Sequence, residues 1–439
     1  MTATAKPAPA AETTPVAHNA DIAQMMRAAY AAADIAAIDQ FLEAHGALKL
    51  KIKPNGLYGA VTTDEEHIES GYTYTWLRDT VAVSVFQLET GNADIAAKTM
   101  TTLQAYFAKH RARFIGIIDG TADKNDKMQR PHIRFNGDTL EEVDQEWGHA
   151  QNDALGYSLW LACKLANEGH MPIDDATLAD IWCLFPLFFR AVEYWQDAEN
   201  GHWEEAPKIE SSSIGAAMAG LIELKKFMNG RTVTANGTDV TPALIDDLIA
   251  KGREQLDAFL PWETREGLPG ARRADGATLF LIYPLGVVTG EQADKVIATV
   301  TGELTGENGI KRYIGDSYWC ADYKKLMSAD ELTTCTGQED RDRHLKPGTE
   351  AQWCIFDPIL SAIYGSRYLD NGDAADLARQ THFFNRALSQ ITADAKCPEA
   401  YYVEDSTKGI YVPNDQTPLA WTQANLGIAL EYMKRTHAT

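Results

Sequence analysis

The chain has 439 residues, with 40 Lys and Arg against 62 Asp and Glu and a formal net charge of −22. So negative a surface repels phosphate backbones and anionic lipid, which argues against nucleic acid and membrane surfaces as partners. Hydrophobic residues at 45% and charged residues at 23% fit a soluble globular protein, and no apolar run approaches the length of about 18 residues that a membrane span needs.

The opening stretch, 1–20, is rich in Ala, Pro and Thr and lacks a basic start followed by an apolar block. It reads as a disordered tail rather than a signal peptide, so the protein is expected in the cytoplasm. Helical periodicity then takes over. Ile22, Met25, Ala29, Ile35, Ile38 and Leu42 share a spacing that predicts a helix over 20–45. Further helices are expected over 78–91, over 93–110 (Ile95, Thr99, Leu103, Tyr106) and over 149–168. The segment 173–197 repeats the pattern in Leu178, Ile181, Trp182, Phe185, Phe189 and Val192, with a kink or break expected at Pro186. The remaining expected spans are 211–229, 242–258, 274–284, 289–303, 349–369, 374–391 and 416–436.

Some links between these helices are short, such as 90–94 and 371–373. Others, 46–77, 111–148, 198–210, 304–348 and 392–415, are long and rich in Gly, Asp, Arg and aromatic residues. Long loops in compact domains are usually functional. Their recurrence after about every second helix predicts helical hairpins in a ring, with the long loops gathered at one end. A closed ring of six hairpins is an (α/α)6 barrel, all-α, expected here as one domain over 21–439. The rival arrangement is two stacked helical domains, but no linker rich in Pro, Gly or Ser divides the chain.

The six cysteines (Cys163, Cys183, Cys320, Cys335, Cys354, Cys397) include no C-x-x-C pair, so a zinc knuckle and a disulfide scaffold are both disfavoured. The eleven histidines are dispersed without ligand spacing, and no metal is expected. Dinucleotide, P-loop, zincin and nucleophile-elbow motifs are all missing, and no cofactor is expected.

The long loops carry the chemistry. The first ends in Tyr72-Thr73-Tyr74-Thr75-Trp76-Leu77-Arg78-Asp79. Asp79 can cap a helix with Arg78 paired to it, or the group can form a sugar subsite, with aromatic faces against a pyranose and charged groups on its hydroxyls. The second ends in Glu146-Trp147-Gly148-His149-Ala150-Gln151-Asn152-Asp153 and the third holds His202-Trp203-Glu204-Glu205. The fourth has Arg312-Tyr313, Asp316, Tyr318 and Trp319, and the fifth Pro398-Glu399-Ala400-Tyr401-Tyr402. Each aromatic could simply cap the barrel rim. Shared composition in all these loops favours a cleft of aromatics and carboxylates, which suits carbohydrate hydrolysis by paired carboxyl groups.

Taken in order, Tyr-x-Tyr-x-Trp-x-Arg-Asp, Glu-Trp-Gly-x-x-Gln-x-Asp, Trp-Glu-Glu, Arg-Tyr-x-x-Asp-x-Tyr-Trp and Pro-Glu-x-Tyr resemble the glucoamylase family, glycoside hydrolase family 15. The wording of Arg312 to Tyr318 and of Glu350-Ala351-Gln352-Trp353 is similar to its bacterial branch and to the related domain of phosphorylase kinase alpha and beta subunits. The resemblance implies an (α/α)6 barrel and an inverting exo-acting α-glucosidase that releases β-D-glucose from soluble α-glucans or oligosaccharides. By motif, Glu204 resembles the general acid, Glu399 the general base, and Glu205 a substrate-binding carboxylate. Arg78 and Asp79 resemble the pair gripping the terminal glucose, Tyr72 and Trp76 its stacking aromatics, and Trp147 the loop Trp near the acid. Arg312, Trp319 and Tyr401 are expected as further subsite residues. The rival functions are a carbohydrate-sensing regulatory domain without catalysis, another (α/α)6 enzyme such as a trehalase, and a helical scaffold.

Overall fold

The computed structural model describes residues 15–61, 72–327, 342–343, 345–346 and 348–438. Cys335 and residues 1–14 lie outside them. In chain order the helices are α1 (Ala20–Met25), α2 (Ala32–Ala44), α3 (Leu77–Glu89), α4 (Ala93–Lys109), α5 (Arg111–Ile118) and α6 (Asn152–Asn167). They continue with α7 (Asp175–Thr177), α8 (Leu184–Val192), α9 (Ser211–Met228), α10 (Pro242–Phe259), α11 (Gly290–Leu304) and α12 (Tyr323–Leu326). The last are α13 (Phe356–Asn371), α14 (Ala374–Ser389) and α15 (Ala420–Thr436), and a 3-10 helix spans Gly276–Leu281.

Packing sorts these elements into two rings. α3 touches α6, α6 touches α9, and α9 touches the 3-10 helix; that helix touches α13, α13 touches α15, and α15 returns to α3. The inner ring is therefore closed. Each inner element carries an outer partner: α4 on α3, α8 on α6, α10 on α9, α11 on the 3-10 helix, α14 on α13 and α2 on α15. This is an (α/α)6 barrel. The sequence shows which helix goes where. Outer α11 buries a single stripe, Ala293, Val296, Ile297, Val300 and Leu304, and leaves its other face wet. Inner α6 is buried along almost its whole circumference, including polar Asn152, Asp153 and Ser158. It approaches α9 closely because Gly156 faces the backbone of Ala216 and Ala217, and Gly220 faces Leu159. Below Arg78 the barrel axis holds an apolar cavity lined by Val81, Val85, Tyr157, Phe280 and Trp421.

Several expected spans differ in detail. The helix over 20–45 is two helices, because Met26 turns extended (φ −65°, ψ 139°) and Asp34 starts a new helix by accepting from Ala31 N at 3.0 Å. The expected break at Pro186 falls earlier. Pro186 sits in the first turn of α8, where a missing N–H costs nothing, and the preceding turn, Leu178–Trp182, widens to a π-helix. The span 274–284 is 3-10 rather than α, and the loop 111–148 begins with helix α5. The tail expected over 1–20 is held at its end. His18 stacks on Tyr401 with ring centroids 4.0 Å apart, and Asn19 caps α1 by accepting from Asp21 N and Ile22 N. Among the described cysteines, Cys163, Cys183, Cys320, Cys354 and Cys397 are all buried.

Candidate active site

Some links from an inner element to its outer partner are short, as at 90–92 and 372–373, while the links from an outer helix to the next inner element, such as 110–151, 305–355 and 390–419, are long. The long segments therefore collect at the N-terminal ends of the inner helices. Short pairings stitch neighbouring segments together there. β1 (Thr75–Trp76) pairs with β2 (Arg134–Phe135), placing Trp76 opposite Arg134. After a separate hairpin of β3 (Val233–Ala235) and β4 (Thr238–Val240), β5 (Gln352–Trp353) pairs with β6 (Ala400–Asp405), which pairs with β7 (Ile410–Pro413). The result is a mouth built from separate stretches of chain.

Glu204 stands at the tip of a tight turn. Its backbone is left-handed, φ 59°, a conformation uncommon for side-chain-bearing residues. The conformation splits two adjacent carboxylates. Glu204 keeps 17% of its side chain exposed, and its Oε1 accepts from Trp76 Nε1 at 3.1 Å and from Arg78 Nη2 at 3.3 Å. Glu205 points inward with a side chain at 0% exposure. It accepts from the Tyr313 hydroxyl and from Arg272 Nη2 at 2.8 Å, and lies 3.7 Å from Arg312 Nη2. Burial would raise its pKa, but Arg272, Lys208 and Arg312 outweigh it and hold the carboxyl at about 2. Glu205, expected to bind substrate, is thus an anion with no exposed side-chain surface, enclosed by Arg272, Lys208 and Arg312.

Glu399 lies where the chain enters β6 and is 3% exposed. Its Oε1 accepts from the Tyr72 hydroxyl at 3.1 Å, which in turn lies 2.7 Å from the Tyr318 hydroxyl. Its Oε2 accepts from Asn414 Nδ2 at 2.5 Å. Burial pushes the Glu399 carboxyl up to about 8, against the opposing pull of Asn414, Tyr72 and the Arg312 charge. Tyr72 and Trp76 lie side by side, ring centroids 5.4 Å apart, one bonded to Glu399 and the other to Glu204. Two carboxyls 195 positions apart in the numbering of the chain thus meet on one aromatic pair.

The remaining expected residues divide. Arg78 does not serve Asp79; it pairs with Asp153 Oδ2 at 2.8 Å and donates to Gln151 Oε1 at 2.6 Å, spanning from α3 to the start of α6. Asp79 is partly buried, and burial lifts its pKa to about 6, with Arg78 opposing and Glu204 reinforcing. Trp147 meets Trp76 edge to face at 6.2 Å. Arg312 grips Asp316 with two hydrogen bonds of 2.7 and 2.6 Å and lies over the rings of Trp203, Tyr318 and Trp353. Trp319 packs into the rim against Tyr323 and Tyr402, with centroids 4.9 and 4.8 Å away. Tyr401 is not brought to the mouth: its hydroxyl donates to Gln390 O at 2.9 Å and its ring is the platform for His18. Sequence reasoning missed Asn414, whose signal is only its place at the end of the hairpin returning from Glu399. It also missed Arg134, whose guanidinium lies 3.5 Å from the Trp147 ring centroid. Among the described residues no group of His, Cys, Asp or Glu is arranged to hold a metal ion, and no helix is long and apolar enough to cross a membrane.

Known proteins share this fold. A glycosidase solved in complex with glucose matches with a TM-score of 0.62 at 18% identity, covering 94% of this chain and 98% of its own. A bacterial glucoamylase complexed with acarbose matches at 0.57 and 15% identity over 87% of this chain and 53% of its own. The glucoamylase of Saccharomycopsis fibuligera matches at 0.57 and 12% identity over 99% of this chain and 100% of its own. At such identities the likeness is one of fold. In sequence, a probable phosphorylase b kinase regulatory subunit alpha of Caenorhabditis elegans is 24% identical over 326 residues, 68% of this chain and 25% of that protein. An uncharacterized lipoprotein of Escherichia coli is 28% identical over 174 residues, 36% of this chain and 66% of its own. The chain thus matches about a quarter of the first relative and about two thirds of the second. The model of Glycosyl hydrolases family 15 matches residues 41–391, most of the chain, and to that family the chain belongs.

Proposed function

We propose that the protein is an inverting exo-acting α-glucosidase of glucoamylase type, releasing β-D-glucose from the non-reducing ends of soluble α-glucans or oligosaccharides. The observation that carries this reading is the meeting of Glu204 and Glu399 on the Tyr72–Trp76 pair. Residues 21–439 act as one catalytic unit. Protonated Glu204 gives its proton to the glycosidic oxygen as the bond from that oxygen to the anomeric carbon breaks. Ionised Glu399 takes a proton from the water whose oxygen bonds to the opposite face of that carbon. Inversion needs a gap of roughly 6.5–9.5 Å between the carboxyl groups to admit the water. Arg78 and Asp79 take hydroxyls of the terminal glucose, and Trp76 and Trp147 offer it apolar faces. Arg312 keeps positive charge near Glu399, while Glu205, beneath, orients Arg312 rather than touching sugar. On the same footing we assign the protein to the cytoplasm, since its cysteines are dispersed and buried rather than framed as a disulfide scaffold.

The test is direct. Glu204→Gln and Glu399→Gln are each expected to lower kcat on maltose and isomaltose by at least about 100-fold while sugar binding persists. Normal turnover in either variant removes that residue from the mechanism. The likeness to the phosphorylase kinase subunit favours one alternative, a carbohydrate-binding regulatory domain without catalysis. That reading gains the field if maltotriose binds to the wild-type protein and no glucose is released.

A further inference from the structure

The loop that carries Glu204 is closed at its neck. Glu199 and Lys208 exchange backbone hydrogen bonds, Glu199 N to Lys208 O at 3.1 Å and Lys208 N to Glu199 O at 3.0 Å. Within the neck Asn200 is tied twice to Glu205, its side-chain amide donating to Glu205 O at 2.6 Å and its own carbonyl accepting from Glu205 N at 2.9 Å. Gly201 N donates to Glu199 Oε2 at 2.9 Å, and Gly201 O accepts from Glu204 N at 3.2 Å. The turn needs left-handed backbone at both its ends, φ 61° at Gly201 and 59° at Glu204. Nothing in the sequence of the turn favours that conformation at a glutamate, so something outside must impose it.

One side chain just past the neck touches both of its strands. Glu210 directly precedes α9, an inner helix packed between α6 and α10, and is 2% exposed. Its Oε1 lies 2.5 Å from Lys208 Nζ, which also lies 3.5 Å from Glu205 Oε2. Its Oε2 abuts Gly201 so closely that a Cβ at that position would overlap the carboxylate. Glu210 therefore holds one strand of the neck through Lys208 and presses on the other through Gly201. We propose that Glu210 is the positioning residue of the loop, fixing from the rigid helix the turn that aims Glu204 at Trp76 and Arg78. The inference rests on the reading of Glu204 as general acid.

The experiment uses Glu210→Gln and two substrates. The sugar leaving maltotriose must be protonated as its bond breaks, whereas fluoride leaves α-D-glucosyl fluoride with the bonding electron pair and needs no proton. Misplacing the acid is expected to lower kcat on maltotriose by roughly 10–100-fold, with KM within about 2-fold of wild type. Turnover of the fluoride is expected to stay within about 3-fold, because the base and the glucose contacts are untouched. An equal loss on both substrates would mark a merely structural role, and no loss on either would mark none; both overturn the proposal. Should Glu210→Gln fail to fold, Gly201→Ala tests the same contact from the other side and is expected to give the same split. If the wild-type protein hydrolyses neither substrate, the hydrolytic reading has failed. A crystal structure of Glu210→Gln then decides alone: loss of the Trp76–Glu204 hydrogen bond supports the positioning role, and its retention overturns it.

Discussion

Burial pushes the Glu399 carboxyl up to about 8, and the hydrogen bonds from Asn414 and Tyr72, together with the charge of Arg312, only partly offset this. In its proposed role as general base Glu399 must be ionised, so kcat/KM on maltotriose is expected to fall as pH drops below about 8. The sign of a second effect follows from the donor on Oε2. The Asn414 amide stabilises the carboxylate, so Asn414→Ala raises the pKa and moves the acid limb of the kcat/KM profile to still higher pH. A limb that stays in place or moves down would show that Asn414 does not act on Glu399. At Glu204 the backbone makes its own prediction. With φ at 59°, Glu204→Gly is expected to be more stable than Glu204→Ala by about 1 kcal/mol in denaturant unfolding, because only glycine adopts that conformation freely. Equal stabilities would mean that the turn is not strained. Glu204 and Glu399 were both legible in the sequence because each follows its neighbour in a short contiguous motif, Trp203-Glu204 and Pro398-Glu399. Asn414 and Arg134 were not, since each reaches the mouth only through strand pairing. Tyr401 misled for the converse reason: it sits beside Glu399 in the chain, yet its ring serves His18.

At the scale of elements, the inner and outer helices differ in how much of their surface the fold consumes. Outer helices such as α11 need only a stripe, and the spacing of Ala293, Val296, Ile297 and Val300 announces it. Inner helices bury polar residues as well, so their periodicity is weaker and their ends are set by contacts; the 3-10 helix at Gly276–Leu281 is the case where expectation and structure part most. The tightest inner pairing depends on the absence of a side chain. Gly156→Ala places a Cβ against the backbone of Ala216 and Ala217, and neither helix can yield without disturbing its other neighbours. The expected cost is about 1–3 kcal/mol of unfolding free energy, read from urea melts. An unchanged midpoint would show that α6 and α9 have slack. The break at 26–31 was poorly legible because it depends on a local cap, Asp34 accepting from Ala31 N, and the π turn before Pro186 carries no cap that would signal it; neither follows from the hydrophobic pattern.

At the scale of the whole molecule, the alternation of short and long links was the readable feature, and the closed ring accounts for it physically. Chain reversals within a hairpin lie at the far end of the barrel and can be as short as 90–92 or 372–373, while passages to the next hairpin cross the mouth and carry the functional groups. That geometry is how Glu204 and Glu399, on different hairpins, come to share one aromatic pair. The proposed roles imply one stereochemical outcome: a water activated by Glu399 on one face of the anomeric carbon, while Glu204 assists departure on the other, inverts that carbon. Proton NMR of maltotriose during the first minutes of reaction, before mutarotation, reads that outcome directly. The β anomer of glucose is expected to appear first; an initial signal from α-glucose, or no released glucose at all, would contradict an inverting glucosidase.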